Sequence, residues 1–313
     1  MKKWLLILIV VFGILVVSAY VFFQREVNKS NIEKVHCNIN GVNRYLMNPN
    51  KWAHWWPGTV TQDSVSGKYS FKYKGFTYTI AEKRYNSLVL QTSADNLTME
   101  GILLFFPLTA DSVQVEWKYA LRTTANLLYR VNLYWQTRKL NDNMIGILDS
   151  MKSFMDNQDK VYGMHIEQVF VKDTILLTTN FKSNQYPETE IIYGHINGIK
   201  NYISTHGAKE TNAPMLHVVV DSGIFKTQVA IPINKVIEGN AMFPVKRMVP
   251  GKILVAEVKG GVYTANHALQ EMSMFMSDNH YSSPAIPFES LVTNRMQEPD
   301  TLKWITKIYY PIF

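Results

Sequence analysis

Thr227-Gln-Val-Ala-Ile-Pro-Ile233 and Thr306-Lys-Ile-Tyr-Tyr-Pro-Ile312 share one apolar pattern, with a proline at the same place in each. Each stretch closes a longer series of elements that the second half of the sequence repeats. Hydrophobic periodicity predicts a strand, a helix and a strand before each ending. These elements are residues 174–178, 187–204 and 216–220 in the first series, and residues 252–258, 262–277 and 286–292 in the second. The pattern therefore predicts a duplicated β-α-β-β unit.

The two repeats are expected to pair, because a unit with one apolar face cannot bury that face alone. Pairing would leave a concave groove between the copies, and concave apolar sites are where small molecules bind. Glu289 lies on the third element of the second repeat, whereas residues 215–220 of the first repeat contain no acid. The period of two in a strand puts Glu289 on the same face as Leu291 and opposite Phe288.

Two interpretations of the Glu289 carboxylate are open. In the first, it lies on the groove wall, where it must be paired or neutralised, and it attracts a cationic or amine-bearing aromatic ligand. In the second, it faces water or bridges to Lys303 or Lys307. Strand aromatics usually belong to a core, and the same choice applies to them. The aromatic candidates for the groove are Tyr263, Trp304, Tyr309, Tyr310, Tyr193 and Phe225.

Residues 165–313 resemble the GyrI-like effector-binding domain, also known from multidrug regulators. The resemblance implies a duplicated fold with a ligand groove between its halves, and it matches Glu289 to a groove glutamate and Tyr263 to the tyrosine that opens the second helix. Members are often fused to DNA-binding domains, but no helix-turn-helix pattern precedes this region. The matching motifs are Pro250-Gly-Lys-Ile-Leu-Val-Ala, Gly260-Gly-Val-Tyr263, Ile286-Pro-Phe-Glu289 and Ile308-Tyr-Tyr-Pro-Ile312.

The first half alternates apolar and polar residues in several consecutive segments, which predicts an antiparallel sheet, and it ends in a predicted helix over residues 140–161. Together with Trp52, Trp55 and Trp56 in the short helical segment near its start, this order resembles the SRPBCC or START-like helix-grip fold. That resemblance implies an apolar cavity between the sheet and the last helix. The three tryptophans are predicted to pack a helix-to-sheet junction.

The N-terminus carries an uncharged apolar run from Trp4 to Phe23, preceded by Lys2 and Lys3. About 20 such residues match the thickness of a bilayer core, which predicts a single transmembrane helix with the later domains outside the cytoplasm. The alternative is a cleaved signal peptide, because Val17-Ser-Ala19 resembles a cleavage site. The predicted α+β organisation is an anchor and polar linker, a START-like domain and an effector-binding domain, at residues 1–31, 32–162 and 163–313.

Catalytic and cofactor motifs are missing from the sequence. It has no Gly-x-Ser-x-Gly elbow, no His-Glu-x-x-His, no phosphate-binding glycine loop and no dinucleotide fingerprint. Cys37 is the single cysteine, and the eight histidines lack metal-ligand spacing. The net charge of +7 comes from scattered residues, so no nucleic-acid partner is expected. Because the motifs and the ligand spacing are missing, neither a cofactor nor a metal is expected.

The sequence thus predicts a membrane-anchored protein, not an enzyme, that binds a small hydrophobic and cationic molecule. The alternatives are a hydrolase that uses Glu289 as a general acid or base, and a lipid-handling START-like protein.

Overall fold

The computed structural model describes residues 2–22, 26–94, 97–122, 126–172 and 174–313. The chain divides into two compact units, Met1–Asn157 and Gln158–Phe313. Each unit contains one antiparallel sheet together with helices, so the predicted α+β class is confirmed.

The first unit contains seven strands and four helical segments in the residues described. The strands are β1 (Glu26–Val35), β2 (Thr59–Gln62), β3 (Tyr69–Tyr73), β4 (Phe76–Arg84), β5 (Ser87–Ala94), β6 (Leu97–Thr109) and β7 (Ser112–Arg122). The helices are α1 (Lys2–Phe22), α2 (Ile39–Leu46), a 3-10 helix (Pro49–His54) and α3 (Leu127–Met155). The strand order is β1-β7-β6-β5-β4-β3-β2, with antiparallel neighbours throughout.

The core of the first unit lies under α3, which buries apolar residues at three- and four-residue spacing. The helix begins at Leu127, well before the predicted start at residue 140. Asn126 caps it, because the Asn126 side chain accepts a hydrogen bond from the backbone N–H of Leu128. The first turns expose large apolar side chains, among them Leu128 and Trp135, and this hides their helical period in the sequence.

The tryptophan cluster fills the space where the START-like resemblance implies a cavity. Trp52, Trp55 and Trp56 are all buried, and the Trp52 indole N–H donates to the Leu46 carbonyl at 2.8 Å. The void that these rings share with the sheet and α3 measures only about 10 Å³. A space of this size holds at most about one water molecule. It cannot take up an acyl chain, so the tryptophans have the packing role that the sequence predicts.

The N-terminal prediction needs correction in two respects. Over the residues that the structure describes, no helix meets the combined requirement of length and apolar character for crossing a bilayer, so the prediction of a single-pass membrane protein is wrong. The predicted polar linker, residues 24–31, is a strand from Glu26 onwards, because the whole of β1 pairs with β7. Gln24, Arg25 and Phe23 lie outside the described residues.

The second unit contains eight strands and four helical segments in the residues described. The strands are β8 (Ile166–Phe170), β9 (Ile175–Ser183), β10 (Met215–Asp221), β11 (Ile224–Pro232), β12 (Val245–Arg247), β13 (Lys252–Lys259), β14 (Phe288–Leu291) and β15 (Ile305–Ile312). The helices are α4 (Gln158–Tyr162), α5 (Thr189–Thr205), α6 (Val262–Asp278) and a 3-10 helix (Thr301–Lys303). The strand order is β12-β9-β11-β10-β14-β15-β13-β8.

This strand order contains the predicted duplication. Strands β9, β11 and β10 are mirrored by β13, β15 and β14, and the two copies meet where β10 pairs with β14. Leu216 pairs with Val229 in the first copy as Glu289 pairs with Ile308 in the second. Leu216 and Glu289 are therefore equivalent positions, and they also pair with each other across the junction.

The two faces of this sheet differ. The twofold axis that relates two antiparallel neighbouring strands is perpendicular to their sheet. Such an axis relates the two copies, so α5 and α6 lie on the same side of the sheet. The helix face carries the core of α5 together with Leu216, Val229 and Leu291. Because side chains alternate along a strand, Met215 and Phe288 point to the other side, which we call the open face.

Candidate functional site

A cavity of about 760 Å³ lies on the open face of the second unit. Met215 and His217 of β10 and Phe288 of β14 line it, so both repeats contribute to its floor. We call this space the sheet cavity. Most of the side chains around it are apolar, and among the residues that the structure describes its lining includes Lys246, Arg247 and Lys252 but no aspartate or glutamate.

One wall of the sheet cavity is formed by residues 246–252, which run from the last two residues of β12 through the connecting segment to the first residue of β13. Backbone hydrogen bonds hold this wall in place. The Met248 N–H donates to the Thr174 carbonyl at 2.8 Å, and the Val171 N–H donates to the Gly251 carbonyl at 3.0 Å. The wall is therefore fixed to the residues that flank β8 and β9. The facing wall comes from residues 284–286, just before β14.

His217 is the titratable group on the cavity floor. Its Nδ1 lies 2.7 Å from the Pro287 carbonyl oxygen, and because a carbonyl only accepts, Nδ1 must carry a hydrogen. In the neutral ring, Nε2 is therefore left as an acceptor. Burial lowers the pKa of His217, and the hydrogen bond to Pro287 offsets this only in part. The ring thus offers a ligand one hydrogen-bond acceptor near neutral pH.

Glu289 does not line the sheet cavity. It points to the helix face, is 3% exposed, and lies between Leu216 and Ile308 on the neighbouring strands. Its Oε2 is 3.5 Å from Nη2 of Arg295. Burial raises the pKa of the Glu289 carboxyl, and the nearby guanidinium offsets this rise only in part. This carboxylate faces neither water nor the cavity.

Lys303 and Lys307, the two possible partners of Glu289 in the sequence analysis, form ion pairs with other residues. Lys303 pairs with Asp300 at 3.7 Å, and Lys307 pairs with Glu257 at 3.5 Å. The cation beside Glu289 is instead Arg295, which the sequence patterns did not single out.

Arg295 connects the residues around Glu289. Its Nη2 donates to the Thr306 hydroxyl at 3.0 Å, and its guanidinium carbon lies 4.8 Å from the centre of the Trp304 ring. Its backbone N–H donates to the Tyr193 hydroxyl at 2.8 Å. With a side chain that is 2% exposed, Arg295 is a buried cation held by a carboxylate, a hydroxyl and an indole face.

The loop between β14 and β15, residues 292–304, is what supplies this arginine. In the first repeat the equivalent connection is only Ser222 and Gly223, so nothing there corresponds to Arg295. Thr227, the equivalent of Thr306, has a buried hydroxyl for which the structure gives no hydrogen-bond partner within the described ranges. In the sequence, the difference in length between these two connections is the feature that could have indicated an added role for residues 292–304.

Tyr186, in the segment between β9 and α5, also lies near Glu289. Burial raises the pKa of its hydroxyl, and the negative charge of Glu289 raises it further. Within the part of the chain that the structure describes, this buried hydroxyl has no hydrogen-bond partner. Its ring meets Phe225 edge-on at 6.0 Å.

The structure brings some of the predicted site residues together and separates others. Tyr193 and Trp304 join Glu289 through Arg295, and Phe225 reaches the group through Tyr186. Tyr310 is half-buried and pairs with Leu254 of β13. Tyr309 stacks on Phe288, with ring centres 4.9 Å apart. Tyr263, in the first turn of α6, is 83% exposed.

The Tyr193 hydroxyl offers a test of the Arg295 loop. It accepts from the Arg295 N–H and donates to the Thr293 carbonyl at 3.2 Å. We expect Tyr193→Phe to lower the free energy of unfolding by about 1–3 kcal/mol, because the buried N–H loses its acceptor. Tyr202→Phe is the matched control, since the Tyr202 hydroxyl donates to the Glu238 carbonyl at an exposed position. Equal losses in urea denaturation would contradict this account of the loop.

No family model and no curated protein sequence matches this chain. Among solved structures, the C-terminal domain of EcmrR is 14% identical over 48% of this chain and 98% of its own, with a TM-score of 0.42. A hydrolase from Listeria innocua is 13% identical over 48% and 92%, with a TM-score of 0.37. SAV2435 bound to tetraphenylphosphonium is 15% identical over 48% and 94%, with a TM-score of 0.30. Likenesses this distant support no statement about what this chain binds.

Proposed function

We propose that residues 158–313 bind a small apolar molecule in the sheet cavity. The observation that carries this proposal is the cavity itself. Its volume of about 760 Å³ falls within the range of roughly 300–1,000 Å³ that is usual for small-molecule sites. Its lining is mostly apolar with a few polar groups, and this is also typical of such sites.

The exposed apolar side chains at the cavity support an occupant. Val249 is 82% exposed, Ile286 is 49% exposed and Phe313 is 83% exposed, and all three line the cavity. Covering apolar surface contributes roughly 25 cal/mol per Å². A bound molecule that covers these side chains and the floor beneath them would gain this free energy without any rearrangement of the sheet.

A titration with a neutral fluorescent probe tests the proposal. We expect N-phenyl-1-naphthylamine to bind the wild type, and Met215→Trp to weaken binding at least about tenfold, because the indole occupies the cavity floor. Ile286→Trp fills the space from a less buried position and should act in the same way. The control is Met242→Trp, an exposed position outside the lining. Equal affinities in the wild type and the three variants would refute the proposal.

A second candidate is a cationic molecule held at Glu289, as the sequence predicts. One observation favours this candidate. A carboxylate and an indole face hold the Arg295 guanidinium beside Glu289, and the same two groups could hold the cation of a ligand. A ligand amine or phosphonium must displace Arg295 to reach Glu289. Calorimetry with tetraphenylphosphonium tests this candidate. Equal affinity for the wild type and for Glu289→Gln would remove Glu289 from the binding site.

Hydrolysis by Glu289 is the weaker proposal. A general acid or base must come within hydrogen-bond reach of the reacting group, and this carboxyl is 3% exposed and in contact with Arg295. Turnover of activated esters or epoxides that is lost in Glu289→Gln would nevertheless establish it.

A further inference from the structure

The structure assigns a charge preference to the sheet cavity. We infer that its ligand is an amphipathic anion, an apolar body with one acidic group such as a carboxylate or a sulfonate. This inference rests on the proposed function, since it concerns the same cavity. It departs from the cationic ligand that the sequence predicts.

The first argument is the charge of the lining. Lys246, Arg247 and Lys252 all border the cavity, and no acidic side chain of the described residues does so. A cationic ligand would find only like charges among these residues. An anionic ligand would find only opposite charges, which is the arrangement that steers and selects charged ligands.

The second argument is that these charges are not neutralised by the protein. Across the ranges that the structure describes, none of the three forms an ion pair. The Lys246 ammonium only donates to the Gln228 side-chain carbonyl, at 3.4 Å. Elsewhere in the same unit lysines do pair with acids, as Lys200 does with Glu210 at 2.8 Å. The cavity mouth therefore keeps a local excess of positive charge.

The third argument is the position of the cations relative to the apolar floor. All three side chains belong to exposed residues on the single wall of residues 246–252, whereas Phe288 and Ala230 lie buried at the floor. An acidic group at the mouth could thus stay partly hydrated and still contact the cations. The apolar body would reach the floor. This separation of polar mouth and apolar interior fits an amphipathic molecule rather than a uniformly apolar one.

Two probes that share one apolar body and differ by a single anionic group test the inference. 1-Anilinonaphthalene-8-sulfonate is N-phenyl-1-naphthylamine with one added sulfonate, so the apolar body is the same. We expect the anion to bind the wild type roughly fivefold to tenfold more tightly than the neutral probe, because three partly exposed charges each contribute modestly. This preference should shrink at 0.5 M salt, where exposed charges are screened.

A charge-removal variant locates the preference. Lys246→Gln/Arg247→Gln/Lys252→Gln should bring the affinity for the anion down to that for the neutral probe, and leave the neutral probe unaffected. The control, Lys209→Gln/Lys235→Gln/Lys259→Gln, removes the same net charge at exposed positions outside the lining and should keep the preference. Lys252→Gln alone, which should give a partial loss, serves if the triple variant does not fold.

The outcomes separate this inference from the proposed function. Neutral-probe binding that Met215→Trp weakens, without any preference for the anion, overturns the inference and leaves the proposed function standing. A preference that survives in the triple variant also overturns the inference. If neither probe binds, both fail.

Discussion

Replacing Arg295 by methionine is expected to lower the free energy of unfolding by about 3–5 kcal/mol, the usual cost of removing one partner from a buried ion pair. The change leaves the Glu289 carboxylate buried without its cation. It also removes the hydrogen bond to the Thr306 hydroxyl and the contact with the Trp304 ring. Glu289→Leu alone should cost a similar amount, because it leaves the Arg295 guanidinium buried without its carboxylate.

The double variant Glu289→Leu/Arg295→Met should recover most of this loss. The first repeat already has Leu216 at the position equivalent to Glu289, with no arginine beside it, so an apolar pair is compatible with this fold. Replacing both members of a buried pair by apolar residues is often neutral or stabilising. Urea denaturation of the wild type, the single variants and the double variant gives the coupling free energy directly. Losses that simply add would show that the two side chains act independently.

The instability of Arg295→Met should depend on pH. Glu289 has a pKa that is raised by burial, and loss of the guanidinium raises it further. An acid with a raised pKa in the folded state binds its proton more tightly there than in the unfolded chain, so stability falls as the pH rises from about 4.5 through the raised value. The deficit of the variant should therefore be smaller at pH 5 than at pH 7. Lys303→Met, which breaks an exposed pair with Asp300, should be nearly neutral at both pH values.

Replacing Trp52 by alanine is expected to destabilise the first unit by about 3–5 kcal/mol. The indole is 0% exposed and packs against Trp55, Trp56 and Phe71, so its loss opens a large void. The Leu46 carbonyl also loses its hydrogen-bond donor. Differential scanning calorimetry resolves the effect if the two units unfold separately.

Trp135→Ala is the matched control for this change, because Trp135 is 53% exposed and its removal leaves no buried void. We expect its effect to stay within about 1 kcal/mol. Similar losses for the two tryptophans would mean that the Trp52 cluster is loosely packed, and that the first unit can open a pocket there after all.

The duplication of the second half could be predicted from the sequence because it is a local property. The shared endings at residues 227–233 and 306–312 became the central strands of the two copies. The period of two also separated Glu289 from Phe288 correctly. It could not tell which face the helices would cover, since that depends on packing between distant segments. The sequence analysis therefore predicts Glu289 as a groove residue, whereas in the structure Phe288 and not Glu289 lines the sheet cavity.

Arg295 and Tyr263 show two kinds of residue whose surroundings cannot be read from sequence patterns. Arg295 lies in a loop without periodicity, and its role depends on long-range contacts with Tyr193 and Glu289. The resemblance matches Tyr263 by its place at the start of a helix, and a position in the first turn of α6 does not by itself determine how exposed the ring is; in the structure it is 83% exposed. The walls of the sheet cavity consist of strand ends and connecting segments, and their residues become neighbours only through the order of the strands in the sheet.

The most direct test of the central claim is a methyl NMR titration of the protein labelled with ¹³C-methyl methionine. Met215 and Met248 line the sheet cavity, whereas Met144 and Met151 are buried in the first unit. If the sheet cavity is the binding site, adding 1-anilinonaphthalene-8-sulfonate will shift the Met215 and Met248 signals with one saturable affinity and leave those of Met144 and Met151 in place. Unchanged Met215 and Met248 signals at saturating probe would contradict it.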